Sequence, residues 1–484
     1  MRASVLATFV LGASACTGTV GSPGGDTTGS VGGGSSGGAV GTPTVGAACD
    51  RTASLGPARV WRLTDQEYVK SVSQVFGVAV PAEVTAPDTQ PADFTNLSEV
   101  VSIDSRAAAA YAATAKTASL AAVKVNLGTF LPCGASSPSD SCVQSFIRNR
   151  VSRAFRRPVT DSEVDSLMAL YHLGATDDVA TGVGVIIEAT LQSPSFLYRT
   201  EIGAPAAGGP TARVPLTAYE VATAISFALL DSVPDDTLWK KAEDRSILTT
   251  KVLASEIDRL LALPEVQENL SHNAGFWLGV ERLHQTEKET SAGYFPEFTP
   301  ALKQNLYDSA RLFVREVLTT GKVTDLLTSS RMYVNDDLAT LYGLPGGMGS
   351  DLVATSVSLP ERGAGILTQP AVLAAFSRPD RGDPIHRGLF IYNSIICGSS
   401  IPEPPANALA IASSFPMDAS ERELANLRAT NPNGCATCHG MFDPLGLATE
   451  RYDPIGRYQA TDAHGAPIDS SAVLSRLGPD IDGP

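Results

Sequence analysis

Near its C-terminus the chain reads Cys435-Ala436-Thr437-Cys438-His439. Two thiols with two residues between them, and an imidazole next, is the spacing at which a c-type haem is attached. Each thiol adds across one vinyl group of the porphyrin to make a thioether. The adjacent His439 then stands under the iron as its proximal ligand. Asn431-Pro432-Asn433-Gly434 before the motif reads as a turn that delivers it. Asp443-Pro444-Leu445-Gly446 after it reads as the end of a local helical turn and the start of a loop, because proline biases the residue before it away from helix.

The same residues have two other readings. Two thiolates and an imidazole are three of the four ligands of a structural zinc site, which would need a fourth ligand or a second Cys-x-x-Cys pair. A thioredoxin-type redox pair would need a βαβ context, and the sequence offers none. An exported chain favours covalent haem c over both. The sixth ligand is open. No methionine follows Met441, which is too close to His439 to reach the opposite haem face and is expected to pack. His464, His386 and Met417 are the remaining candidates, each with an ordinary loop reading beside it. A closed sixth site would restrict the haem to electron transfer, and an open one would admit ligand or peroxide chemistry.

Five more cysteines complete the seven of this 484-residue chain. Cys133 and Cys142 flank a Gly/Ser/Pro loop and are expected to form a disulfide in an oxidising compartment. Cys49 and Cys397 could pair, although connectivity does not follow from sequence. Cys16 belongs to the N-terminal signals. Residues 1–15 read as a signal peptide, with Arg2 as the positive region and Val5 to Leu11 as an apolar run too short to span a membrane. Ala13-Ser14-Ala15 fits the small-residue cleavage rule, and Cys16 behind it resembles a bacterial lipobox, departing from the usual leucine at Ala13. Residues 16–47 are Gly-, Ser-, Thr- and Pro-rich and read as a flexible tether. The expectation is export to the periplasm or cell surface, with the membrane reached only through a lipid on Cys16. A net charge of −15 and the lack of a basic stripe argue against a nucleic-acid partner.

The elements that must position the motif read as helices, and 43 % hydrophobic residues suffice for sizeable cores. Thr64/Glu67, Thr160/Glu163 and Thr217/Glu220 each form the pattern of a capping box. Gly77 and Gly174 read as the C′ glycines that close the first two of these helices. Further helices are expected over 249–262, from Pro264 to about Leu283, from Pro300 to about Thr320, and from Asn335 to Tyr342, stopped by Gly343. Leu352 to Val357 is the best strand pattern and looks isolated. The fold class is therefore mostly α, a multidomain helical body ending in a cytochrome c-like haem segment. His172, His272 and His284 lack mutual metal spacing and read as ordinary histidines. Asn335-Asp336-Asp337 is a helix cap rather than a calcium site. Nucleotide-binding and nucleophile-elbow motifs are absent from any supporting context, and Trp61, Trp239 and Trp277 are too scattered to form a sugar platform.

Arg362-Gly-Ala-Gly-Ile-Leu-Thr-Gln-Pro-Ala-Val-Leu373, Arg381-Gly-Asp-Pro-Ile-His-Arg-Gly388, Ile401-Pro-Glu-Pro-Pro405, the CATCH motif and Asp443-Pro-Leu-Gly446 together resemble the planctomycete-type secreted cytochrome c-like family. Arg62 to Tyr68 resembles that family's first domain of unknown function, Ala154 to Thr160 with Phe196 to Tyr198 its second, and Leu216 to Gly343 its third. The resemblance runs from about residue 58 to the end. It implies domains over 58–130, 140–203, 213–345 and 360–430, with a haem segment over 431–484. It also implies one covalent haem c held by Cys435 and Cys438, with His439 on the iron. The family's last domain usually continues in a further helical stretch where this chain stops, so the segment is expected to be truncated. Electron exchange with a partner protein is the leading expectation. A haem-dependent oxidoreductase acting on an unknown substrate and a non-redox surface scaffold are the alternatives.

Overall fold

A computed structural model describes residues 59–81, 103–134, 136–203, 215–291, 293–356, 362–398, 406–416, 419–431, 435–461, 467–474 and 481–482, with a few isolated positions between them. The signal peptide, the tether, Cys16, Cys49, Met417 and His464 lie outside these residues. The fold is mostly α, with only short strand pairs. Among the described residues no helix is long and apolar enough to cross a membrane. They divide into two compact units, one reaching Ala254 and the other running from Ser255 onward, with 229–231 grouped in the second.

The first unit opens with β1 (Arg59–Arg62) and α1 (Asp65–Phe76), followed by α2 (Ser105–Phe130) and α3 (Asp140–Phe146). One π-helical turn, Ile147–Val151, follows α3 directly. Then come α4 (Asp161–Gly174), α5 (Val179–Gln192), β2 (Tyr198–Glu201), α6 (Ala218–Leu230) and α7 (Asp236–Glu243). Its core packs Tyr68 against Tyr111 and Phe196, with ring centroids 5.1 and 5.3 Å apart. All three expected capping boxes form, with the threonine hydroxyl accepting from the N3 amide and the glutamate from the N-cap amide. Gly77 closes α1 with φ 69°. Gly174 does not close α4 in that way: it is the last helical residue, and Ala175 after it has φ −72°. A Cβ at Gly174 would lie 3.0 Å from the Gly182 Cα, so this glycine lets α4 and α5 approach. Cys133 and Cys142 are joined, with Cα atoms 6.3 Å apart.

The second unit holds most of α8 (Thr250–Leu261), then α9 (Pro264–Trp277) and α10 (Pro300–Thr319). Next come β3 (Arg331–Val334), α11 (Asp336–Tyr342), β4 (Val353–Ser356), α12 (Pro370–Ala375) and α13 (Pro384–Phe390). It ends on α14 (Glu421–Thr430) and α15 (Cys435–Leu447). β4 is not isolated. It pairs antiparallel with β3, Val353 opposite Val334. One buried core runs from Ala274 to Ile455 and takes in Phe442 and Leu445 of α15.

Asp443-Pro444 does not end the helix. Pro444 sits inside α15, and the chain stays helical to Leu447. The N–H that proline lacks would have gone to the carbonyl of Gly440, an exposed residue whose carbonyl water can serve. Asp443 before it is held by an ion pair to Arg428 and a hydrogen bond from His439, which outweigh the bias against helix at that position. α13 crosses α15 with glycines at the contact. A Cβ on Gly388 would run into the Phe442 carbonyl, and one on Gly446 into the Pro384 carbonyl. Both obstacles are backbone and cannot swing aside. Gly446→Ala is therefore expected to cost about 3 kcal/mol or more, read as a lower urea midpoint at unchanged m-value.

Candidate functional site

α14 starts on a fourth capping box, Ser420 with Glu423, and carries Arg428 in its last turn. α15 follows after a short connection and begins on Cys435. A helix advances about 100° per residue, so Cys435, Cys438 and His439 share one arc of about 100°. All three are part-exposed. Further along the same arc Phe442 and Gly446 are buried. The motif therefore continues the core-facing side of α15 to where that side meets solvent.

His439 does not stand alone. Its Nδ1 lies 3.0 Å from Asp443 Oδ1, one helical turn on. Arg428 Nε donates to Asp443 Oδ2 at 2.7 Å. The arginine and aspartate side chains are only 8 % and 5 % exposed, so neither charge is solvated and each depends on the other. Asp443 accepts from both neighbours only if His439 carries its proton on Nδ1. That tautomer leaves Nε2 with its lone pair free to bind a metal. Arg428 Nη2 is buried and has no hydrogen-bond partner among the described residues.

Other candidates separate from this arrangement. Met441 falls outside the ligand arc, and its sulfur receives the Tyr392 hydroxyl at 3.6 Å. His386 lies on α13, two residues from both Pro384 and Gly388, which face α15. Two residues are about 200° on a helix, so His386 points away from α15. Its Nδ1 is 2.6 Å from Asp383 Oδ2, and the ring is 55 % exposed. Asn335 is a cap, its side chain accepting from the Leu338 amide. Among the described residues no three His, Cys, Asp or Glu side chains are grouped to hold a metal ion. Cys435, Cys438 and His439 follow one another along one arc of α15.

Sequence reasoning missed Arg428 and the role of Asp443. Reading Asp443-Pro444 as a helix end hid the i, i+4 relation between His439 and Asp443. The Ser420-x-x-Glu423 signature would have located the helix that carries Arg428.

Behind the site, Arg387 on α13 is fully enclosed. It donates to the carbonyls of Leu373, Thr449, Tyr452 and Asp453 and to the Ser377 hydroxyl. Lys288 donates to the carbonyls of Ala374, Ser377 and Arg378. Together they pin the segment before α13 and the segment after α15. Burial pushes the Glu450 carboxyl up to about 7, against the pull of Arg387 and with the repulsion of Glu421. The folded protein then keeps a proton on Glu450 that the unfolded chain has released above its ordinary value of 4.5. The Glu450 contribution to stability is complete below that value and is lost as pH rises through about 7. Glu450→Gln removes the titration. It is expected to raise Tm at about pH 8 and to leave it nearly unchanged at about pH 4, in paired thermal melts.

Four family models match the chain in succession, each described as a protein of unknown function. They are PSD3 (DUF1587) over residues 61–124, PSD5 (DUF1595) over 142–201, PSD4 (DUF1592) over 216–344 and PSCyt3 (DUF1588) over 363–462. The last contains the CATCH motif and Asp443. These matches, in this order, are consistent with the planctomycete-type family that the sequence resembles. No curated protein and no solved structure matched the chain.

Proposed function

We propose that the protein is an exported c-type haem protein that passes single electrons to or from a partner protein. In this reading it is held near a membrane by a lipid on Cys16 and the tether behind it. One observation carries the haem reading: Cys435, Cys438 and His439 share one arc of α15, and a buried Asp443–Arg428 pair fixes His439 with Nε2 free. The name of the model covering this segment, PSCyt3, agrees with a cytochrome c-like role.

The chain's own residues have distinct tasks in this reading. Cys435 and Cys438 would anchor the porphyrin through thioethers, which would keep the group bound in dilute surroundings outside the cell. His439 would ligate the iron. Asp443 sets its tautomer, and Arg428 shares the carboxylate. The spare buried donor of Arg428 suits a carboxylate of the kind a porphyrin propionate presents. When bound, a haem would supply one-electron exchange, with its potential set by the axial ligand and its hydrogen bonds.

The test is protein exported alongside c-type haem maturation factors. A haem stain that survives denaturing electrophoresis, and a Soret band that shifts on reduction, are expected; both should be lost in Cys435→Ala/Cys438→Ala. Absence of covalent haem in the wild-type protein would sink the reading. In haem-loaded protein, Asp443→Asn is expected to raise the midpoint potential, because His439 loses electron density when its carboxylate partner becomes neutral. Spectroelectrochemical titration of both forms measures this.

A further inference from the structure

The first unit holds a cleft of about 520 Å³ that plays no part in the CATCH site. Its size is that of a small-molecule site. The π-helical turn Ile147–Val151 follows the disulfide-bonded Cys142 helix and forms part of the cleft wall with Asn149 and Arg150. Turns of this type are often found at functional sites. Phe130, Phe146 and the Cys133–Cys142 bridge line another part of the cleft.

The polar lining is specific in kind. Gln74, Thr129, Ser145 and Asn149 are neutral amides and hydroxyls, and the charged groups are Arg150, Arg153 and Asp236. Arg153 is paired with Asp236 at 2.7 Å and stacks over the Trp239 ring at 4.4 Å. Burial pushes its guanidinium below the ordinary value, with the repulsion of Arg150 and against the pull of Asp236, Glu243 and Asp235. Arg150 donates to the Val75 carbonyl at 3.2 Å and lies 5.7 Å from the Phe130 ring centre. Among the described residues Arg150 makes no ion pair, so it is the guanidinium of this cleft left open to an anion. Both guanidiniums are held by aromatic rings and backbone or side-chain acceptors, so little side-chain entropy remains to be lost on binding.

We propose that this cleft binds a small hydroxylated carboxylate, with Arg150 on the carboxylate and the amides and hydroxyls on the ligand's own hydroxyl groups. A guanidinium with spare donors matches a carboxylate's two oxygens. Neutral amides and hydroxyls in the lining select polyhydroxylated bodies over purely apolar ones.

The experiment uses the full chain and three probes: D-glucuronate, glucose and benzoate. Saturation-transfer NMR and titration calorimetry are expected to show D-glucuronate binding with a Kd of about a millimolar or tighter, and weaker binding of the other two. Arg150→Gln should weaken D-glucuronate at least tenfold, with Arg150→Lys between. Ser145→Trp places bulk at the exposed rim without touching the cationic groups, and it should block binding while circular dichroism stays unchanged. Four outcomes overturn the proposal. They are no D-glucuronate binding at about ten times that concentration, equal binding of glucose, binding that survives both Ser145→Trp and Arg150→Gln, and benzoate binding more tightly than D-glucuronate.

Discussion

The two oxygens of the Asp443 carboxylate serve opposite neighbours, Arg428 on α14 and His439 one turn back on α15. Burial gives this arrangement its weight. A carboxylate or guanidinium taken out of water alone costs several kcal/mol, so neither Arg428 nor Asp443 is tolerable without the other. Their pairing requires α14 to end beside the middle of α15. That in turn requires α14 to begin where its Ser420–Glu423 capping box begins it. Arg428 also lies in the last turn of its helix, where the helix dipole favours a cation.

The position of α15 is fixed from its other side by close backbone contact. Gly388 and Gly446 bring α13 and α15 together so tightly that a methyl at either position would meet a carbonyl. Arg387 leaves that crossing and collects the carbonyls of Thr449, Tyr452 and Asp453, the segment just beyond α15. Arg362 does related work, donating to the Gly456 carbonyl and lying over the Tyr342 and Tyr452 rings. Buried guanidiniums thus satisfy loop carbonyls that have no helix or strand partner, which lets an irregular segment stay inside the core. The C-terminal helix is one part of a core that starts at Ala274, and the burial of Phe442 and Leu445 is what holds it there.

Local chemistry was legible in the sequence, and longer-range packing was not. The capping boxes at Thr64, Thr160 and Thr217 use residues three apart, so their pattern is complete within one turn of chain. The stop at Gly343, with φ 67°, was equally local. β4 was visible, but its partner β3 was not, because a four-residue strand such as Arg331–Val334 carries too little alternation. β1 and β2 went unseen for the same reason. Gly174 and Pro444 were misread in the same way. Each residue was assigned its commonest local role, whereas its actual place is decided by a neighbouring helix or by a buried ion pair. The motif's residue types were legible, but the carboxylate behind His439 was not, because its relation to the histidine exists only if the helix continues through Pro444.

That dependence has a chemical consequence. A Cys-x-x-Cys-His segment by itself fixes which atoms can attach a porphyrin and which ring can ligate iron. It does not fix which imidazole nitrogen is free. Here that property belongs to Asp443 and Arg428, two residues whose burial is set by the packing of α14 and α15 into the core. Loosening that packing would let water compete for the carboxylate and relax the tautomer preference, with the motif itself unchanged. The helical body is therefore more than a carrier for the site: its packing supplies the hydrogen bond that orients His439.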